Sequence, residues 1–213
     1  MVIHAYSEDY LNHAQKILGD MMDYAVNTYE LSPNQFYEMF LVSDVSMQFQ
    51  TGNPTYVAGK TGCELVKEVL RKSGLLIPEL EDEMYLDKSP EYWCGWALAY
   101  YQWYTGRSFM KIYHAVSIEE ILSMYPVYHE IDISKFVETI NEKWDQYYVE
   151  TNLKRLRMLA GLSQSELAKR SGVALRQIQL FEQRQRDINH TRAIDVLRLA
   201  RELGCKSEEL LEI

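Results

Sequence analysis

The stretch "ALRQIQLFE", residues 174–182, places one guanidinium and two carboxamides within four positions, at Arg176, Gln177 and Gln179. If the stretch is helical, Ile178 and Phe181 share the inward face. Leu175, Arg176, Gln177 and Gln179 are then left pointing outward. Guanidinium and carboxamide groups make paired hydrogen bonds to guanine and adenine edges in the DNA major groove. A helix used only for packing has little reason to display them. Arg176, Gln177 and Gln179 are therefore expected to contact bases.

Other chemistry-bearing residues point nowhere as definite. Gly59-Lys60-Thr61 has the ending of a phosphate loop, but that loop needs a first glycine with four residues between it and Gly59, and Pro54 stands there without an N–H. A turn leading into a helix N-terminus is the expectation. The five histidines (His4, His13, His114, His129, His190) lack any metal-ligand spacing, and "YHEID" at 128–132 reads as a solvated turn after Pro126. No nucleophile-elbow, kinase or zinc signature occurs. No catalytic residue, metal or cofactor is expected, and the chain is read as a non-enzyme. From Tyr92 to Thr105 three tryptophans and four tyrosines crowd fourteen residues. A helix apolar all round is buried all round, so this one is expected at the centre of a core, ahead of an aromatic ligand cage or partner groove.

The outward-facing group at 175–179 needs elements that hold it. Ser163-Gln164-Ser165-Glu166 is a capping box that opens a helix. Leu167 and Ala168 face inward, Gly172 supplies the positive φ of a tight turn, and Val173 packs into the corner. Upstream, "NLKRLRMLAG" forms a helix with Leu153, Leu156 and Leu159 or Ala160 inward.

With "GLSQSELA", "SGV", "IQLFE", "INHTRAIDVLRLARELG" and "SEELLEI", residues 152–213 resemble the Xre/Cro, lambda-repressor-like helix-turn-helix family. The resemblance implies five helices and binding to double-stranded DNA. It implies base contacts from Leu175, Arg176 and Gln177. It also implies backbone contacts from Gln164 at the start of helix two, and phosphate contacts from the loop holding Arg184 and Arg186. An ion pair between Arg157 and Glu182, beneath the recognition helix, follows from the same resemblance. Two positions depart from the family. The cap of the recognition helix is Ala174, a loss that costs about 0.5–2 kcal/mol. The glycine usual after that helix is Arg184.

Charge divides the chain in the same place. Residues 1–150 carry 10 Lys/Arg against 23 Asp/Glu, a net −13, whereas residues 151–213 carry 12 against 8, a net +4. An acidic body repels DNA, so the basic end must do the binding. Residues 1–150 read as helices throughout. Ser7 caps the first, and Ser32-Pro33 opens a second running to about Gln50. A third spans about Thr61–Lys72, and a loop follows over 75–88. Ser89-Pro90 opens the aromatic helix, which ends near Gly106. Two shorter helices follow, the second stopped by Pro126, and Ser134 caps a last one. The boundary near residue 150 has neither Gly nor Pro, so it is a short kink or a continuous helix. The fold class expected is all-α: an acidic helical domain at 1–150 and a DNA-binding domain at 151–213. Residues 1–150 resemble the N-terminal extensions of some Firmicutes regulators, some of them antitoxin-like.

Cys63, Cys94 and Cys205 form no CxxC pair, and three is odd, so reduced thiols in the cytoplasm are expected. No signal peptide or membrane span is evident. The function expected is transcriptional regulation by a dimer on a palindromic operator. An antitoxin that neutralises a toxin partner through residues 1–150 is the alternative, and an enzyme domain fused to a DNA-binding module ranks below it.

Overall fold

Every regular element of the computed structural model is helical among the described residues, which are 4–74, 78, 80–83 and 85–212. The chain divides into two units, Met1–Tyr147 and Tyr148–Ile213.

The first unit contains α1 (Leu11–Asn27), α2 (Pro33–Val42), α3 (Asp44–Gln50), α4 (Gly62–Lys72), α5 (Pro90–Thr105), α6 (Phe109–Ala115), α7 (Ile118–Tyr128) and α8 (Ile133–Tyr147). The aromatic helix α5 lies in the core, with Cys94, Ala97, Leu98 and Tyr101 buried and Trp96, Tyr100 and Tyr104 partly so. It packs tightly on α1 because each presents a glycine to the other. A Cβ on Gly95 would stand 2.3 Å from the Leu18 carbonyl oxygen, and one on Gly19 would stand 2.7 Å from the Tyr92 ring. Two of the polar tips in this core find partners: Trp103 Nε1 donates to the Tyr6 carbonyl at 2.9 Å, and the Tyr101 hydroxyl to Asn141 at 2.9 Å, whereas the buried Tyr37 hydroxyl has none among the described residues.

Four boundaries differ from expectation. Ser7 caps a 3-10 turn, Glu8–Tyr10, and α1 follows directly. The helix expected from Ser32 to Gln50 breaks at Ser43, whose ψ of 151° is extended and whose hydroxyl donates to the Phe40 carbonyl at 2.7 Å. Pro126 does not stop α7. It lies within the last turn, where the lost N–H removes a single ladder bond. Ser134 is inside α8, and the Asp132 carboxylate accepts the Ser134 N–H at 2.8 Å to open that helix. Lys60 pairs with Glu68 at 2.5 Å, and Thr61 caps α4 through a capping box, so the Gly-Lys-Thr run is a turn into a helix. The loop expected at 75–88 lies partly outside the described residues. Those described within it form no helix, and Tyr24 donates to the Glu81 carbonyl there at 2.7 Å. Cys63 and Cys94 are buried, Cys205 is half-buried, and all three are free thiols.

The second unit contains α9 (Asn152–Leu159), α10 (Gln164–Ser171), α11 (Leu175–Glu182) and α12 (Ala193–Leu203), with 3-10 turns at Ile188–His190 and Ser207–Leu210. The fifth helix of the family pattern is thus a single turn. Helix α8 ends at Tyr147 and α9 is capped by Thr151 in an extended conformation, which makes the stretch near residue 150 a break in the helix. Leu153, Leu167, Val173, Ile178, Phe181 and Leu199 form the heart of the core. The sequence places Leu159 or Ala160 inside, but both are exposed, Leu159 by 75%. The chain reverses at Gly161, where φ is +67°. Leu162 N–H then reaches the Arg157 carbonyl and Gly161 N–H the Met158 carbonyl, a Schellman closure that swings Leu162 into the core. The C-terminus is tied back to α9, since Asn152 donates from its backbone to Glu212 at 2.6 Å and from its amide to the Leu211 carbonyl at 2.7 Å.

Candidate nucleic-acid interface

Helix α10 opens on a capping box, and the turn to α11 is set by the residues between them. The Ser163 hydroxyl accepts from Glu166 N–H at 3.1 Å, and the Glu166 carboxylate accepts from Ser163 N–H at 2.8 Å. Bonds to the carboxylate from the Ser163 hydroxyl and backbone N–H hold the Glu166 carboxyl below its ordinary value. Gly172, at φ +69°, ends α10 in the left-handed conformation, and buried Val173 fills the corner. α11 begins at Leu175 without a side-chain cap, as Ala174 must leave it.

On α11, Ile178 and Phe181 are buried. Leu175 and Arg176 are exposed, and Gln177 and Gln179 are half-exposed. The helix therefore presents one guanidinium and two carboxamides on a face that no core residue occupies. Beyond it, Arg184 takes φ +52°, so this arginine adopts the left-handed conformation that a glycine usually fills. Its guanidinium donates to the Tyr148 carbonyl at 2.8 Å, a partner with no local sequence signal. The Arg186 guanidinium lies 6.0 Å from the Phe181 ring centroid. Both arginines are exposed.

Beneath the recognition helix, Arg157 Nε donates to Glu182 Oε1 at 2.6 Å and its Nη2 to Oε2 at 2.9 Å. The Arg157 Nη1 donates to the Leu162 carbonyl at 2.7 Å, and the Gln164 amide donates to Glu182 Oε2 at 2.7 Å. The side chains are 11% and 2% exposed. Bonding to Glu182 raises the Arg157 pKa further above its ordinary value. Sequence reading placed Gln164 on the DNA backbone. In the structure its amide joins α10 to the ion pair, so one network links α9, α10 and α11.

Residues 153–210 match the family model described as helix-turn-helix, of the Xre and lambda-repressor-like type. This segment is a helix-turn-helix domain. No curated protein and no solved structure matches the chain. The helix-turn-helix domain makes the chain a DNA-binding regulator, with α11 as the second helix of the motif, the one that enters the major groove in such domains. No helix among the described residues is long and apolar enough to cross a membrane.

The phosphate contacts expected of the exposed arginines can be tested apart from base contacts. Arg184→Ala or Arg186→Ala should weaken binding to all sequences alike and lower the slope of log affinity against log salt by about one unit each. Titration of two unrelated duplexes at several salt concentrations checks this.

Proposed function

We propose that the chain is a sequence-specific transcriptional regulator, without catalytic activity, that binds a palindromic operator as a homodimer in the cytoplasm. The observation that carries the reading is the α11 face: Leu175, Arg176, Gln177 and Gln179 stand clear of the core, followed by the basic loop with Arg184 and Arg186. Leu175 suits a thymine methyl, Arg176 a guanine edge, and the two glutamines adenine edges. A single small helix-turn-helix domain binds weakly alone. Two of them spaced about 34 Å apart reach successive major-groove faces of one site. Tethering two half-site contacts shares one loss of translational freedom, which is the role residues 1–150 serve here. Their acid excess also suits a basic protein partner, the antitoxin-type reading, which a stoichiometric second protein in natively purified material would favour.

The test is titration of the full chain on its best duplex from a random pool, with the complex weighed by native mass spectrometry. One imperfect palindrome should be enriched, bound by two chains. Log affinity should fall linearly with log salt, at about 0.9 per phosphate neutralised, because Lys and Arg release counterions. Salt-indifferent binding, or a pool with no enriched sequence, would contradict the reading.

A further inference from the structure

The first unit holds a cavity of about 420 Å³ lined by none of the residues assigned to the DNA face, and its volume is that of a small-molecule site. The rings of Tyr92, Trp93 and Trp96 from the start of α5 line it, with Tyr125 and Tyr128 from the end of α7. Ile131 and Ile133 add an apolar patch. The lining rings pack on one another and on Phe136. Trp93 meets Tyr125 and Phe136 edge-on, with centroids 5.8 Å and 5.5 Å away. Tyr125 stacks on His129 at 4.3 Å, and the His129 Nδ1 is fixed against the Tyr125 carbonyl at 2.6 Å. The Tyr128 hydroxyl is bonded to Thr139 at 2.8 Å.

The charge around these rings is negative. Lys88, also in the lining, stands 4.3 Å from the Tyr92 centroid and 2.9 Å from Asp20, so an ammonium already rests on one wall. Against it stand buried Asp20 and Asp23, the latter accepting from the Ser89 hydroxyl at 2.7 Å. Glu130 lies 3.7 Å from His129 Nε2, and Asp132 falls between the two lining isoleucines. Aromatic faces attract cations through the ring quadrupole, and an acidic surround raises their local concentration while repelling anions.

We propose that this cavity binds an organic cation with a flat apolar body, its charge held against the aromatic faces and its body against Ile131 and Ile133. The site is independent of the helix-turn-helix domain and is tested without DNA. Isothermal titration of the full chain with N-methylquinolinium, 2-naphthamide and 2-naphthoate compares a cation, a neutral molecule and an anion of one bicyclic size. The cation should bind saturably at one per chain, about tenfold tighter than the amide, with the naphthoate weakest. Trp96→Ala should weaken the cation about tenfold. Lys88→Gln removes the resident ammonium and leaves Asp20 without its partner, so it should strengthen cation binding severalfold. Lys88 is exposed enough to be replaced without disturbing the core. No saturable binding of N-methylquinolinium, naphthoate binding as tightly as the cation, or a cation affinity unchanged in both variants would overturn the proposal.

Discussion

Glu182→Gln should destabilise the second unit by about 3–5 kcal/mol at neutral pH, the cost of breaking a buried ion pair by removing one partner. The glutamine keeps the volume of the side chain, but it leaves the Arg157 guanidinium uncompensated at 11% exposure. It also turns an amide NH₂ toward groups that are themselves donors, from Arg157 and Gln164. The charge is what matters, so Arg157→Met combined with Glu182→Leu should recover most of the loss, because replacing both ions by apolar groups is often neutral. All four tryptophans lie in the first unit, so tryptophan fluorescence does not see this change. Hydrogen exchange at Ile178 and Phe181 amides in the full chain does. A loss within about 0.5 kcal/mol, the range of ordinary surface substitutions, would show that the pair carries no such strain.

Gly95→Ala should destabilise the first unit, the reverse of what helix propensity alone expects. In an open helix this exchange gains about 0.5–1 kcal/mol. Here the new methyl meets the Leu18 carbonyl oxygen at 2.3 Å and the Met22 side chain at 2.9 Å. The carbonyl is part of α1 and cannot step aside without moving that helix. Overpacking of this kind costs about 1–3 kcal/mol, occasionally more, so the net effect is a loss of up to about 2 kcal/mol. Urea unfolding followed by tryptophan fluorescence checks it, and a midpoint raised by the substitution would contradict the close α1–α5 approach.

The second unit was legible because its signals are local and mutually consistent. A capping box at Ser163, a positive φ at Gly172 and apolar residues three apart at Ile178 and Phe181 each follow from chemistry within a few residues. The exception is instructive. Leu159 keeps the helical spacing yet is exposed, because the closure at Gly161 reverses the chain and gives its place to Leu162. In the first unit, apolar periodicity runs through the break at Ser43, where only the Ser43-Asp44 pair marks a new start, and Val42 is left 78% exposed. Gly95, inside an aromatic helix, carried a signal of close backbone approach that the surrounding rings obscured. The cavity was least legible of all. Its walls come from the start of α5, the end of α7 and the turn after it, and "YHEID" taken alone looks like solvent-facing chain.

The most direct measurement of whether the exposed face of α11 reads DNA is a parallel enrichment from one random pool with the parent chain and with Arg176→Ala. The guanidinium is expected to bond a guanine edge, so its removal should cost about 1–3 kcal/mol on the best site and relax preference at particular base pairs, leaving the rest of the site intact. The same site enriched with the same preference at every position would contradict the assignment of that face.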